Sequence, residues 1–163
     1  MNRITILLSS TEKNAELAAQ IEKRALEKGF EVDMVNLVEL DLPLYSNASS
    51  EGTIPQNAKK LFSRIEASSS LIVISPEYNG LIAPTLINAI TWVSIANKDW
   101  RKAFNGKPTL IATHSGGHGV RALVAMRIQL SYIGANVLGR EISTSNAKSL
   151  NLESLDACLD QLA

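Results

Sequence analysis

Three short clusters hold the residues best suited to chemistry, and none pairs a nucleophile with a base. The first, Ser9-Ser10-Thr11-Glu12-Lys13-Asn14, sets three hydroxyls and an amide ahead of an amphipathic stretch. Free backbone N–H groups at a helix start, joined by hydroxyls, can hold a phosphate monoester. The same letters also suit plain capping by Ser9 or Thr11. The second cluster is Pro76-Glu77-Tyr78-Asn79-Gly80. There Gly80 lets the backbone approach a flat ring closely, Asn79 and neighbouring amides can donate to ring acceptors, and Tyr78 offers an aromatic edge. An ordinary Asn-Gly turn into a Pro-initiated helix is the competing reading. The third, Ser115-Gly116-Gly117-His118-Gly119, exposes amides near a helix start. It suits a polar ring edge such as a pyrimidine, or is a simple helix-initiating turn.

His114 and His118 have the spacing of a metal pair, but the glycines between them argue against a helix and no third ligand is apparent, so no metal site is expected. His118 is taken as a site-lining residue rather than a proton donor. Arg121 either meets a nucleotide phosphate or forms a surface pair. Trp92 and Met126 read as packing residues, in the core or a subunit interface. No catalytic acid, base or nucleophile is assigned.

The elements that must position these clusters alternate in kind. Ile4 to Leu8 reads as a strand, and Leu17, Ala18, Ile21 and Ala25 share one face of a helix that Gly29 stops. Val32 to Leu37 is a second strand, followed by a turn-rich surface loop from Leu42 to Thr53. Pro55 opens a helix lined by Ala58, Leu61, Phe62 and Ile65, and Leu71 to Ile74 is a solid apolar run typical of a central parallel strand. Pro84 opens a third helix, Thr109 to Thr113 forms a fourth strand, and Val120 to Tyr132 a fourth helix. A short strand near Asn136 to Leu138 precedes a last helix holding Leu152, Leu155, Leu159 and Leu162. This βα alternation predicts an α/β fold: a flavodoxin-like three-layer sandwich around a five-stranded parallel sheet of order 2-1-3-4-5. In such a sheet the loops after the first, third and fourth strands leave from one edge, so the three clusters converge on one crevice. The general rule for this strand order places FMN at the switch point between the first and third strands.

Composition narrows the partners. Lys plus Arg equals Asp plus Glu at 16 each, so global charge suggests neither a nucleic acid nor an anionic membrane. At 163 residues with 45% apolar content, one domain over residues 1–163 is expected. Cys158 is the only cysteine, which excludes a disulfide framework and fits a reducing compartment, so a cytoplasmic location is expected.

The letters themselves carry a resemblance. Ser75-Pro76-Glu77-Tyr78-Asn79-Gly80, followed by Pro84 and then by Asn88-Ala89-Ile90 and Trp92, resembles the signature of the NADPH-dependent FMN reductase family. The similarity continues in order through Gly106-Lys107-Pro108, the next strand, Ser115-Gly116-Gly117 and Arg121. It implies that Ser9, Thr11, Lys13 and Asn14 grip the FMN phosphate. It further implies that Pro76, Glu77, Tyr78, Asn79 and Gly80 lie along the isoalloxazine, and that Ser115, Gly116, Gly117 and His118 meet its pyrimidine end. The implied activity is NAD(P)H oxidation through flavin N5, with electrons passed to a small acceptor: a free flavin, quinone, azo compound or metal oxyanion. The implied assembly is a homodimer or homotetramer. Two features depart from the family pattern: the first loop is short and lacks its usual Gly and Arg, and Thr91 stands where an acidic residue often precedes the Trp.

Rival classes differ at defined places. A flavodoxin-type electron carrier would use the same FMN but dock through a strongly acidic face, against which the balanced charge speaks. A receiver-type signalling domain needs acidic residues where Ser9, Ser10 and Ser75 stand. A flavin-free binding module on the same fold is the third alternative.

Overall fold

Alternate residues of the central strands sort into two separate cores, and this period of two fixes the layers. The computed structural model describes residues 2–163. Strands β1 (Arg3–Leu8), β2 (Glu31–Asn36), β3 (Ser70–Ile74) and β6 (Pro108–His114) form the parallel sheet in the order β2-β1-β3-β6. Leu7, Val73 and Ile111 face one layer, built from α3 (Gln56–Glu66), α4 (Pro84–Ala96) and α5 (Val120–Tyr132). Ile6, Ile72, Leu110 and Ala112 face the other, built from α1 (Lys13–Glu27) and α6 (Leu152–Leu159). The register Leu8↔Ile74 and Ile74↔Ala112 aligns the ends of the three central strands, so the turns that follow them leave at one level.

The fifth strand is split. Two pieces, β7 (Asn136–Val137) and β8 (Ile142–Thr144), pair parallel with opposite ends of β6. Between them the carbonyls of Leu138 and Gly139 accept from the Arg127 guanidinium at 2.8 and 3.5 Å instead of continuing the ladder. The single short strand expected near Leu138 thus becomes two, in the edge position the predicted order requires.

Three elements were not anticipated from sequence: the antiparallel hairpin β4 (Glu77–Tyr78) and β5 (Leu81–Ile82), the one-turn helix α2 (Asn47–Ser50), and a 3-10 turn at Trp100–Ala103. Helix α2 lies within the expected loop and is nucleated by a reciprocal Ser46 and Ser49 capping box. That loop is strapped to α4: the Pro43 carbonyl accepts from Trp92 Nε1 at 2.6 Å and Asn88 Nδ2 at 3.1 Å, while Asn88 Oδ1 accepts from the Tyr45 N–H at 2.8 Å. The bodies of Trp92 and Met126 are fully buried, which places both in the core.

Candidate functional site

The turn after β1 is pinned before α1 begins. Ser9 donates through both N–H and Oγ to the Ile74 carbonyl, each at 3.0 Å, and its own carbonyl accepts from Thr85 Oγ1 at 2.6 Å. Neither Ser9 nor Thr11 caps α1. The N-cap is Glu12, at φ 55° and ψ −123°, and it provides no side-chain hydrogen bond. The amino end of α1 therefore keeps first-turn N–H groups without a side-chain acceptor among the described residues. Beside it the Ser10 hydroxyl is buried and has no partner among the described residues. Lys13 lies in solvent and pairs with Glu16 along the helix at 2.9 Å. Asn14 is buried, with both amide atoms on the His114 backbone.

The second cluster folds as a tight hairpin, because Asn79 and Gly80 take φ of 51° and 80° and so suit a two-residue loop with both central residues left-handed. Pro76 is buried at its base, while Tyr78 and Asn79 are exposed. Ser75 closes that base by donating from Oγ to the Pro76 carbonyl at 3.1 Å and accepting from the Ala83 N–H at 3.0 Å. Gly80 packs under the stem of Arg121, whose Cδ would lie 3.4 Å from an added Cβ. The Glu77 carboxylate leaves the hairpin for α5, where Oε2 accepts from the Arg121 and Ala122 N–H groups at 3.1 and 3.3 Å. It supplies the cap that the α5 N-cap residue, Gly119, cannot.

In the third cluster Gly116, Gly117 and His118 are exposed, and a Cβ at Gly116 or Gly117 would meet open space. Gly119 is different: it is buried at φ 65°, and a Cβ there would stand 2.6 Å from Thr113 Cγ2. The His118 carbonyl accepts from Ser143 Oγ at 2.7 Å, and His114 Nδ1 lies 3.0 Å from Thr144 Oγ1. Among the described residues no group of three His, Cys, Asp or Glu side chains gathers.

All three turns thus meet at one edge, tied pairwise: first to second strand-end by Ser9 and Ile74, first to third by Asn14 and His114, second to third by Glu77 and α5. In front of the hairpin lies an open trough of 660 Å³, whose wall includes Glu77, Tyr78, Leu81, Pro84 and Ile87. Thr85, Thr113 and Ser143 escaped the sequence reading. Each is a lone hydroxyl outside the three clusters, so nothing local marked it.

Comparison with known proteins matches the model for NADPH-dependent FMN reductase over residues 2–149. The chain belongs to the NADPH-dependent FMN reductase family. Its relatives include the NADPH azoreductase of Bacillus sp. (strain OY1-2), 28% identical over 69% of this chain and 61% of that protein. The quinone reductase of Escherichia coli (strain K12) is 31% identical over 61% of this chain and 53% of that protein. The chain therefore spans between half and two thirds of the length of these curated relatives. Among solved structures, the flavoenzyme NAD(P)H:(acceptor) oxidoreductase FerB from Paracoccus denitrificans superposes with a TM-score of 0.80 at 22% identity, covering 99% of this chain and 97% of that one. The flavodoxin-like sheet order expected from sequence is the one this FMN reductase family member has, once β7 and β8 are counted as one broken strand.

Proposed function

We propose that this chain binds FMN across the three tied turns and uses it to pass electrons from NADPH or NADH to a small acceptor: a free flavin, quinone, azo compound or metal oxyanion. The observation that carries the reading is the buried Ser10 hydroxyl, without a partner among the described residues, beside the amino end of α1, which its N-cap side chain leaves uncapped. A phosphate monoester suits both, since it accepts from hydroxyl and amide donors and favours the positive end of a helix dipole. In this reading Ser9, Ser10, Thr11, Lys13 and Asn14 form or support the phosphate end. The backbone from Pro76 to Gly80 borders the ring, and Ser115 to His118 face its polar edge with open amides.

The flavin, when bound, supplies the redox chemistry by accepting hydride at N5 from nicotinamide C4. What this chain adds is position and polarity. Leu81, Pro84 and Ile87 of the hairpin and α4 offer apolar surface to one side of the berth, and the glycine amides of the third turn would stabilise electron density at the ring edge. No side chain is assigned a proton to move. Glu12 puts a carboxylate beside the phosphate end, which Lys13, in solvent beside Glu16, offsets only in part, so the reading favours loosely held FMN, exchanged from solution rather than retained.

The rest of the reading is a single FMN-binding domain over residues 1–163, cytoplasmic, without nucleic-acid or membrane partners, and assembled as a homodimer or homotetramer. No helix among the described residues is long and apolar enough to cross a membrane. The assembly rests on α5, where Val120, Val124, Ile128 and Tyr132 are each more than half exposed at four-residue spacing. The test of function is the visible spectrum with added FMN, followed by NADPH or NADH without oxygen. A bound-flavin band that bleaches is expected. A band that ignores both nicotinamides moves the chain to the electron carriers, and no binding at all leaves a flavin-free module.

A further inference from the structure

Helix α5 begins at the candidate site, and its first amides are already occupied by a carboxylate from the neighbouring turn. Glu77 Oε2 accepts from the N–H groups of Arg121 and Ala122 at 3.1 and 3.3 Å, and Oε1 lies 3.7 Å from the Arg121 guanidinium. The Glu77 side chain is only 14% exposed, whereas that of Arg121 is 78% exposed, so the carboxylate is shielded and its counter-charge is in solvent. Glu77 also contributes to the wall of the 660 Å³ trough. A helix amino end facing a ligand ordinarily favours negative charge on it. Here that favour is taken up by Glu77.

We propose that Glu77 is a positioning residue that fixes the hairpin against α5 and, with the same carboxylate, biases the site against the reduced form of its flavin. The inference rests on the FMN reading above. Reduction by a nicotinamide brings two electrons and one proton to the ring as hydride, and the donor leaves as the oxidised cation. The ring is then one unit more negative until a second proton arrives from solvent. A fixed negative charge in the wall opposes that change, so reduced FMN binds more weakly relative to oxidised FMN and passes its electrons on more readily.

The test measures dissociation constants for oxidised and anaerobically reduced FMN, together with the midpoint potential of bound FMN against a reference dye. Glu77→Gln keeps an oxygen to accept from the two N–H groups and removes the charge. Oxidised FMN should bind within about twofold of wild type, while reduced FMN tightens about tenfold, the size expected of removing one charge from the wall of a partly solvated site. That ratio corresponds to a rise of about 30 mV for a two-electron couple. Glu77→Ala cuts the tie as well, and both affinities should fall. Arg121→Gln, whose backbone N–H still donates to Glu77, supplies an independent arm if the Glu77 variants fold poorly; it should weaken reduced FMN relative to oxidised FMN. An unchanged ratio in Glu77→Gln, or in Arg121→Gln where that is the arm that folds, overturns the inference and leaves the FMN reading intact. Wild-type protein that binds no FMN overturns both.

Discussion

Both polar atoms of the Asn14 amide are spent on one residue a hundred positions away: Oδ1 accepts from the His114 N–H at 2.8 Å and Nδ2 donates to the His114 carbonyl at 3.0 Å. This pair makes α1 and the end of β6 a single rigid edge. Asn14→Asp keeps the acceptor but turns the donor into an oxygen facing a carbonyl. A buried group left in that state costs about 2 kcal/mol, or roughly 4–8 °C in Tm for a chain of this size. Thermal melts should show that loss, and FMN titration should show weaker binding because the first and third turns are no longer held together.

Much of this edge was legible in the letters, and what was missed has a physical reason. Solid apolar runs such as Leu71 to Ile74 suit strands covered on both faces, so a parallel sheet followed from them, while its order came from the βα alternation and the general rule for such folds. Pro84 marked the start of α4 because a first-turn position tolerates its missing N–H. Asn79-Gly80 was seen as a turn, yet two-residue strands flank it, too short for any alternation to register. Ser9 and Thr11 were plausible caps by composition. Tertiary pairing decided otherwise, since Ser9 is drawn to Ile74 and the cap position passes to Glu12. Glu77 was grouped with ring-lining residues because sequence places it in the right turn but cannot show that its carboxylate reaches forty-four positions ahead to α5.

On the opposite side of the sheet from α1, Asp33 of β2 accepts from Arg64 Nε at 2.9 Å and from Arg3 at 3.2 Å. The Arg64 hydrogen bonds hold its carboxyl below the ordinary value of 3.8. The folded state thus binds the proton more weakly than the unfolded chain does, so the pair's contribution is present above pH 3.8 and is lost as pH falls through the folded value. Urea unfolding of wild type and Asp33→Asn should differ by about 1–3 kcal/mol near neutrality, with the gap closing as pH drops below about 4.

Lys107 is buried, and its ammonium donates to the carbonyls of Ile65 at 2.7 Å, Glu66 at 2.9 Å and Ser68. Burial pushes its pKa down, while three carbonyls at the end of α3 hold the charge in place. Lys107→Met preserves the stem volume and strands those acceptors. The expected cost is about 3 kcal/mol in urea unfolding, and Lys107→Arg should not restore it, because a planar fork cannot meet three converging carbonyls as an ammonium does.

Glu12 occupies a backbone region that favours glycine, at φ 55° and ψ −123°. Strain of this kind costs on the order of 1–3 kcal/mol, and glycine returns up to about 1 kcal/mol of it through the entropy of the unfolded chain. Glu12→Gly should therefore stabilise the protein by about 1 kcal/mol in thermal unfolding. It also removes a carboxylate from the amino end of α1, so the FMN dissociation constant should fall severalfold, by an amount that shrinks with added salt. A variant that gains stability without gaining affinity would show that the phosphate does not sit at this turn.

The outer surface bears on assembly. No charged residue occurs from Tyr78 to Asn97, and Ile87 of α4 is exposed there. On α5, Val120, Val124, Ile128 and Tyr132 are 59%, 52%, 67% and 77% exposed, a ridge rather than scattered side chains. A contiguous apolar ridge marks an interaction surface. An isologous pair would satisfy it, because a two-fold axis lays the same ridge against itself without needing opposite charges. Ile128→Glu puts a carboxylate at the centre of the ridge, where two copies would bring like charges together, but leaves every buried contact of α5 in place. Sedimentation should find wild type associated and Ile128→Glu monomeric at the same concentration, with far-UV circular dichroism and melting temperature nearly unchanged. If both sediment alike, the ridge is not the contact between copies.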